Sequence, residues 1–170
     1  GNGTFTASAS SGLGLAFLAR ACAAGDIDND GDLDLYVACQ AFPSRLYLND
    51  GTGTFTEVGA AAGVAHTDDS FSAAFGDYDR DGLPDVYISN MFSSAGGRIA
   101  YQRRFQEGAA EDVRQRYQRH ARGNTLFRNL GEGRFADVTE AAGVAMGRWA
   151  WGAIAADLQN DGRPDLVVPN

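Results

Sequence analysis

With 170 residues, 44% of them hydrophobic, the chain can bury a core of its own and reads as a single domain spanning 1–170. Its 14 basic residues, all arginine, face 22 acids for a formal net charge of -8, the wrong sign for a duplex DNA footprint. No run of 18 apolar residues is present to span a membrane. No signal peptide is visible at the start, where glycine rather than methionine is compatible with a mature, processed or excerpted chain.

In chain order the first signal is repetition. Gly1-Asn2-Gly3-Thr4-Phe5-Thr6 returns as Gly51-Thr52-Gly53-Thr54-Phe55-Thr56 and as Gly131-Glu132-Gly133-Arg134-Phe135-Ala136. Each copy leads into a run of small residues, then into an apolar strand A expected at 18–25, 70–76 and 149–156. A nine-residue acidic loop follows, then strand B at 34–38, 85–89 and 165–168. Strand C is expected at 45–49 and 125–129 and strand D at 54–58 and 134–138, with Asn/Gly turn punctuation between them. Four short strands in a unit of roughly 40–50 residues make a propeller blade. The fold class is therefore all-β, with about three propeller-like blades of four antiparallel strands in an incomplete ring, over units of about 1–50, 51–130 and 131–170.

The third unit reaches Asn170 before a strand C, and an orphan D-like strand stands at Thr4 to Ala7. Open edges of this kind invite completion by further repeats, or by another copy docking end to end into a filament or multi-chain assembly.

From Asp26 to Asp77 the loops are 51 residues apart, but from Asp77 to Asp157 they are 80 apart, which places an insertion at 91–123. The segment from Glu107 to Arg122 is helix-like, with Gly123 as its stop. Seven of the 14 arginines lie in this insertion. Two readings stay open: a solvated helix packed over a blade edge, and a basic surface for an acidic glycan or protein partner.

The acidic loops carry the chemistry. Asp26-Ile27-Asp28-Asn29-Asp30-Gly31-Asp32-Leu33-Asp34, Asp77-Tyr78-Asp79-Arg80-Asp81-Gly82-Leu83-Pro84-Asp85 and Asp157-Leu158-Gln159-Asn160-Asp161-Gly162-Arg163-Pro164-Asp165 set acids at alternate positions around a glycine. Carboxylates at positions 1, 3, 5 and 9 repel unless a cation lies among them. Ca²⁺, a hard ion taking six to eight oxygens, suits short Asp side chains, a position-7 carbonyl and a closing Asp. No Cys or His lies in the loops to hold zinc or copper. An EF-hand is excluded because its twelfth position falls on Val37, Ile88 and Val168 instead of a bidentate Glu. The loops hold five, four and three of the 22 acids, so three bound Ca²⁺ would bring the net charge to about -2.

Phe75 to Tyr87, Asn124-Thr125-Leu126-Phe127-Arg128-Asn129 and Gly131-Glu132-Gly133-Arg134-Phe135 together resemble the FG-GAP/VCBS repeat family. These are the repeats of integrin α-chain propellers and of cartilage-acidic-protein-like secreted proteins. The resemblance covers nearly everything except 91–123. It implies a β-propeller with Ca²⁺ held between strands A and B, an extracellular location (secreted or cell surface), and a role in adhesion or assembly. Carried over, it makes Asp26, Asp28, Asp30 and Asp34, then Asp77, Asp79, Asp81 and Asp85, the ligands, with carbonyls from Asp32 and Leu83. The third loop departs from the pattern: Asp157, Asp161 and Asp165 remain, but Gln159 replaces an acid and Arg163 stands at position 7, giving a weaker third site.

Such a setting favours a disulfide between Cys22 and Cys39, which flank the first loop, if the register allows it; the alternative is two small buried thiols. Asn2-Gly3-Thr4 is a glycosylation sequon, making Asn2 a possible glycan site. Catalysis has little to stand on, since His66 and His120 are isolated and neither a nucleophile elbow nor a phosphate loop is present. The leading expectation is a non-catalytic, calcium-stabilised structural or adhesive module that self-associates, with no nucleic-acid partner. The alternatives are a carbohydrate-binding, lectin-like propeller using Trp149 and Trp151, or a piece of a larger secreted propeller protein. The two tryptophans lie two apart in strand A, and burial between blades is expected of them.

Overall fold

The computed structural model describes residues 3, 4, 6–8, 10–14 and 18–170. Its strands are β1 (Ala19–Gly25), β2 (Asp34–Pro43), β3 (Arg45–Asn49), β4 (Phe55–Glu57), β5 (Thr67–Gly76), β6 (Asp85–Asn90), β7 (Thr125–Asn129), β8 (Phe135–Asp137), β9 (Ile154–Ala156) and β10 (Asp165–Val167). Four helices, α1 (Gly59–Ala62), α2 (Ser94–Ile99), α3 (Glu111–Arg122) and α4 (Thr139–Ala142), connect or decorate them. The fold is all-β and propeller-like. Two antiparallel units of four strands, β1 to β4 and β5 to β8, are followed by a two-stranded third unit, β9 with β10.

Strands β3 and β7 fall on the residues expected of strand C, and both D strands form as short three-residue pieces. Two expectations fail at the ends of the A and B strands. β2 runs on to Pro43 and β5 begins at Thr67 because Gln40 pairs with Asp69 and Pro43 with Thr67 across the blade boundary. That pairing joins the first two units into one curled sheet, in the order β4-β3-β2-β5-β6-β7-β8. In the third unit only Ile154–Ala156 of the expected 149–156 is strand, paired with Asp165–Val167. Pro169 soon follows and cannot donate to a continuing ladder.

The orphan strand expected at 4–7 is not formed at Thr4, Thr6 or Ala7, and Phe5 lies outside the described residues. Instead Ser11 O accepts from Phe55 N–H at 2.8 Å, and Leu13 packs against Val37, Cys39 and Tyr47 on the outer face of the first unit. The second unit packs against the first on one side and against the third on the other, which explains why β6 is buried at every position instead of alternating, whereas β1 stays largely exposed.

Packing between blades repeats with the sequence. Tyr36, Ala38 and Leu46 of the first unit meet Val86, Ile88, Phe127 and Phe135 of the second, with Val64 beneath. Tyr87 and Leu126 meet Ala153 and Val168 of the third. The Tyr36 hydroxyl donates to Val64 O at 3.5 Å, and the Tyr87 hydroxyl donates to Val144 O at 3.0 Å, the same bond one repeat later. Each fully buried large side chain here contributes about 1.5–3 kcal/mol.

Candidate metal loops and the ion-pair network beside them

Each A-to-B hairpin turns through the same hydrogen-bond set. The Asp26 carboxylate accepts from Asp30 N–H at 3.0 Å and Gly31 N–H at 3.1 Å; Asp77 accepts from Asp81 and Gly82 N–H, both at 3.0 Å. Position 4 is left-handed in all three loops, at Asn29 (φ 59°), Arg80 (φ 61°) and Asn160 (φ 56°). Asn tolerates that region well, whereas Arg80 sits there at some cost. The position-6 glycines, Gly31 and Gly82, have φ of 96° and 89°, a region open chiefly to glycine.

The turn gathers acids from both ends of the hairpin. Carboxylate oxygens of Asp26, Asp28 and Asp34 come within 4.8 Å of one another, as do those of Asp77, Asp79 and Asp85. Asp34 and Asp85 are buried at the base, where each is held by backbone donors. Asp34 accepts from Ile27 N–H (3.0 Å) and Asn49 N–H (2.9 Å); Asp85 accepts from Tyr78 N–H (2.9 Å) and Asn129 N–H (2.7 Å). Asp30 and Asp81 stand at the rim, each with one oxygen accepting from the N–H two residues on, at 2.9 Å.

Arg128 reaches Asp79 of the second cluster at 3.9 Å. Burial pushes the Asp85 carboxyl up to about 6, with Asp79 and Asp81 adding to it against the two backbone donors. Asp34 is raised by burial and by Asp28 and Asp30, and Asp28 by burial and its acidic neighbours. A donor set made only of hard oxygens, gathered around a buried closing carboxylate that resists ionisation, fits a hard divalent cation at positions 1, 3 and 9.

The third loop repeats the turn without the cluster. Asp157 accepts from Asp161 N–H (3.0 Å) and Gly162 N–H (2.7 Å), and Asp161 from Arg163 N–H (2.9 Å). Those donors, Gly162 first, pull the Asp157 carboxyl below its ordinary value. Asp165 accepts from Leu158 N–H at 3.0 Å and from the Gln159 side-chain amide at 2.9 Å.

Asparagines that the sequence showed only as turn punctuation tie these loops together. Asn129, 1% exposed, donates from Nδ2 to Ile27 O in the first loop (2.8 Å) and to Pro84 O in the second (3.1 Å). Asn29 Nδ2 donates to Gly82 O across the same boundary at 3.0 Å. The signal was present in the matching Asn49 and Asn129 at the ends of the C strands, but nothing local says that one would bridge two blades.

Three other sequence expectations meet the structure here. The Cys22–Cys39 disulfide is not formed: Cys22 lies opposite Val37 and Cys39 opposite Ala19, and both thiols are free, with Cys39 buried but Cys22 exposed on the outward side of β1. Trp149 and Trp151 are 55% and 61% exposed instead of buried between blades, because the chain is not in strand there; their rings lie 6.2 Å apart. Asn2 lies outside the described residues.

The insertion folds as two helices, with Glu111 and Asp112 in the first turn of α3 and Arg119, His120 and Arg122 in its last, as the helix dipole favours. α3 packs against β5, a central strand of the curled sheet. Arg119 reaches buried Asp68 (3.3 Å) and Asp137 (3.5 Å), and Arg122 reaches Asp137 (2.9 Å). His66 lies in the same pocket, its Nδ1 2.9 Å from Val64 O and its Nε2 3.2 Å from Asp68 but out of line for a hydrogen bond. Burial, helped by Arg119 and opposed by Asp68, pushes the His66 imidazole down to about 4.

Repeated four-stranded units with acidic A-to-B loops define a propeller-type repeat module. The chain belongs to the FG-GAP-like repeat family, which it matches over residues 1–37, 43–88 and 115–168. The interruption between the second and third matches falls in the helical insertion. A comparison with curated proteins gave no match. No helix among the described residues is long and apolar enough to cross a membrane.

Proposed function

We propose that the chain is a non-catalytic, calcium-stabilised structural or adhesive propeller module that works outside the cell. The observation that carries this reading is the pair of carboxylate clusters, Asp26/Asp28/Asp34 and Asp77/Asp79/Asp85, each gathered within 4.8 Å. A set of hard carboxylate oxygens from one short loop suits Ca²⁺ better than Mg²⁺, which demands near-ideal octahedral geometry and keeps its waters. Extracellular calcium, near millimolar, would fill even sites of modest affinity. The exposed Ile154 (56%) and the two-stranded β9–β10 sheet support assembly with further strands, and association between copies of the chain is the form proposed.

Melting the purified protein with EGTA and then with calcium restored, alongside light scattering, tests the reading. A cation at a thousand times its Kd adds about 4 kcal/mol per site, or roughly 8–16 °C for a chain of this size. Polymers or oligomers that loosen on chelation are expected; a monomer whose melting ignores EGTA sinks the proposal. The exposure of Trp149 and Trp151 favours one second reading, a lectin-like module stacking sugar rings on these indoles. A glycan array separates the two: saccharide binding abolished by Trp149→Ala supports the lectin, and silence across the array removes it.

A further inference from the structure

We infer that Gln159 takes the place of a cation in the third acidic loop, so that an amide bridge closes this loop and the chain takes metal at two of its three loops. The inference rests on the calcium reading of the first two loops. The backbone gives no reason for the third to differ. Asn160 and Gly162 have φ of 56° and 79°, beside 59° and 96° in the first loop and 61° and 89° in the second. The capping bonds made by Asp157 and Asp161 repeat those of Asp26 and Asp30 within a few tenths of an ångström.

The difference is at position 3. In the first two loops the residue there is Asp28 or Asp79, whose carboxylate lies in the cluster with the closing Asp34 or Asp85. In the third, Gln159 Nε2 donates to Asp165 Oδ1 at 2.9 Å. An N–H dipole therefore sits against the closing carboxylate from the position that elsewhere supplies an opposing charge. Among the described residues no cluster of acids forms in this loop.

Oδ1 of Asp34 and of Asp85 accepts a backbone N–H, from Asn49 and Asn129, and Oδ1 of Asp165 accepts the Gln159 amide. Charge falls in step. Counting Arg80 and Arg163, the three loops carry net charges of -5, -3 and -2. Fewer anionic ligands mean weaker calcium binding, by at least ~10-fold for a lost ligand charge. On this account chelation loosens the first two blades and leaves the third hairpin indifferent.

Backbone amide resonances of Gly31, Gly82 and Gly162, the position-6 residues, report each loop separately during a CaCl₂ titration of the full chain. In the wild type, Gly31 and Gly82 are expected to shift and Gly162 to stay still over the same range. In Gln159→Asp, Gly162 should join them, with an apparent affinity at least ~10-fold above any wild-type response at that loop. In Gln159→Ala, which removes the bridge without adding charge, hydrogen exchange at Leu158 and Gly162 should quicken while both stay insensitive to calcium. A wild-type Gly162 that titrates alongside Gly31 and Gly82 overturns the inference, as does a Gln159→Asp protein whose Gly162 never moves, or a calcium-sensitive Gln159→Ala. Silence of Gly31 and Gly82 sinks the calcium reading instead, and the Gly162 response in Gln159→Asp still decides the role of Gln159.

Discussion

Acid sets two buried groups of this chain against each other. His66 is 8% exposed, and its imidazole is pushed from 6.5 down to about 4, chiefly by burial. A histidine depressed in the fold is protonated more readily in the unfolded chain, so stability is lost as pH falls from 6.5 towards 4. At about 1.4 kcal/mol per pH unit the full loss is about 3 kcal/mol. Asp85, 1% exposed, is raised from 3.8 to about 6, so the folded chain holds this proton more readily. Without metal its contribution rises as pH falls from about 6 towards 3.8, by about 2 kcal/mol after allowance for the solvent side of the loop.

The two slopes oppose, so the wild type in EGTA should change by less than about 2 kcal/mol between pH 7 and 4.5. His66→Gln keeps a donor for Val64 O and removes the titration; its stability should rise on acidification. Asp85→Asn removes the other titration, and its stability should fall by about 3 kcal/mol. With calcium bound, Asp85 is held ionised, and the wild type should fall as Asp85→Asn does in EGTA. Urea unfolding followed by circular dichroism at several pH values measures all four. Parallel pH profiles for the three proteins in EGTA would refute the reasoning.

Asn129→Ala removes the donors to Ile27 O and Pro84 O and the acceptor for Gly131 N–H. It should cost about 2–4 kcal/mol in urea and weaken calcium binding at the first loop as well as the second. Gly76→Ala would put a methyl group 2.6 Å from the Ala155 side chain. The overpacking should cost about 1–3 kcal/mol and increase exchange in β9 and β10 before β1 to β4; uniform exchange would contradict it. A thiol reagent should modify Cys22 in the native protein and reach Cys39, which is 0% exposed, only after unfolding, so two prompt equivalents would be inconsistent with this core.

Local pattern made the blades legible. Strand C is bounded by Ser44 and Asp50 in one copy and by Asn124 and the Asn129–Gly131 turn in the other, residues whose own turn chemistry ends strands, and its limits were readable to the residue. The acidic loops were equally plain, because alternating Asp around Gly has few other uses. What could not be read were contacts across blades. The β2 extension to Pro43 depends on Thr67 and Asp69 of another repeat. Burial of Trp149 and Trp151 was expected from alternation along a strand, but that strand starts at Ile154. The disulfide failed on register, which spacing in sequence does not supply. The Asp68–Arg119–Asp137 network joins residues far apart in sequence, and only the fold brings them together.

The composition of the inner strands explains why polar ties carry so much of this fold. β1 is Ala-Arg-Ala-Cys-Ala-Ala-Gly, and β9 is Ile-Ala-Ala. Such small side chains let neighbouring inner strands approach until Gly25 lies under the Phe75 ring, where an added methyl would come within 2.9 Å of it. They also bury little apolar area, so the roughly 25 cal/mol per Å² of burial yields less here than in a leucine-rich sheet. The deficit is met at the ends of these strands. There Asn29 and Asn129 cross from one loop to the next, and two acidic clusters offer a cation several oxygens at once. A divalent ion in either cluster would fix carboxylates from both ends of a hairpin, and through Ile27 and Gly82 it would also steady the backbone that the neighbouring loop leans on. Metal at these loops thus acts on the blade boundary as well as on the turn.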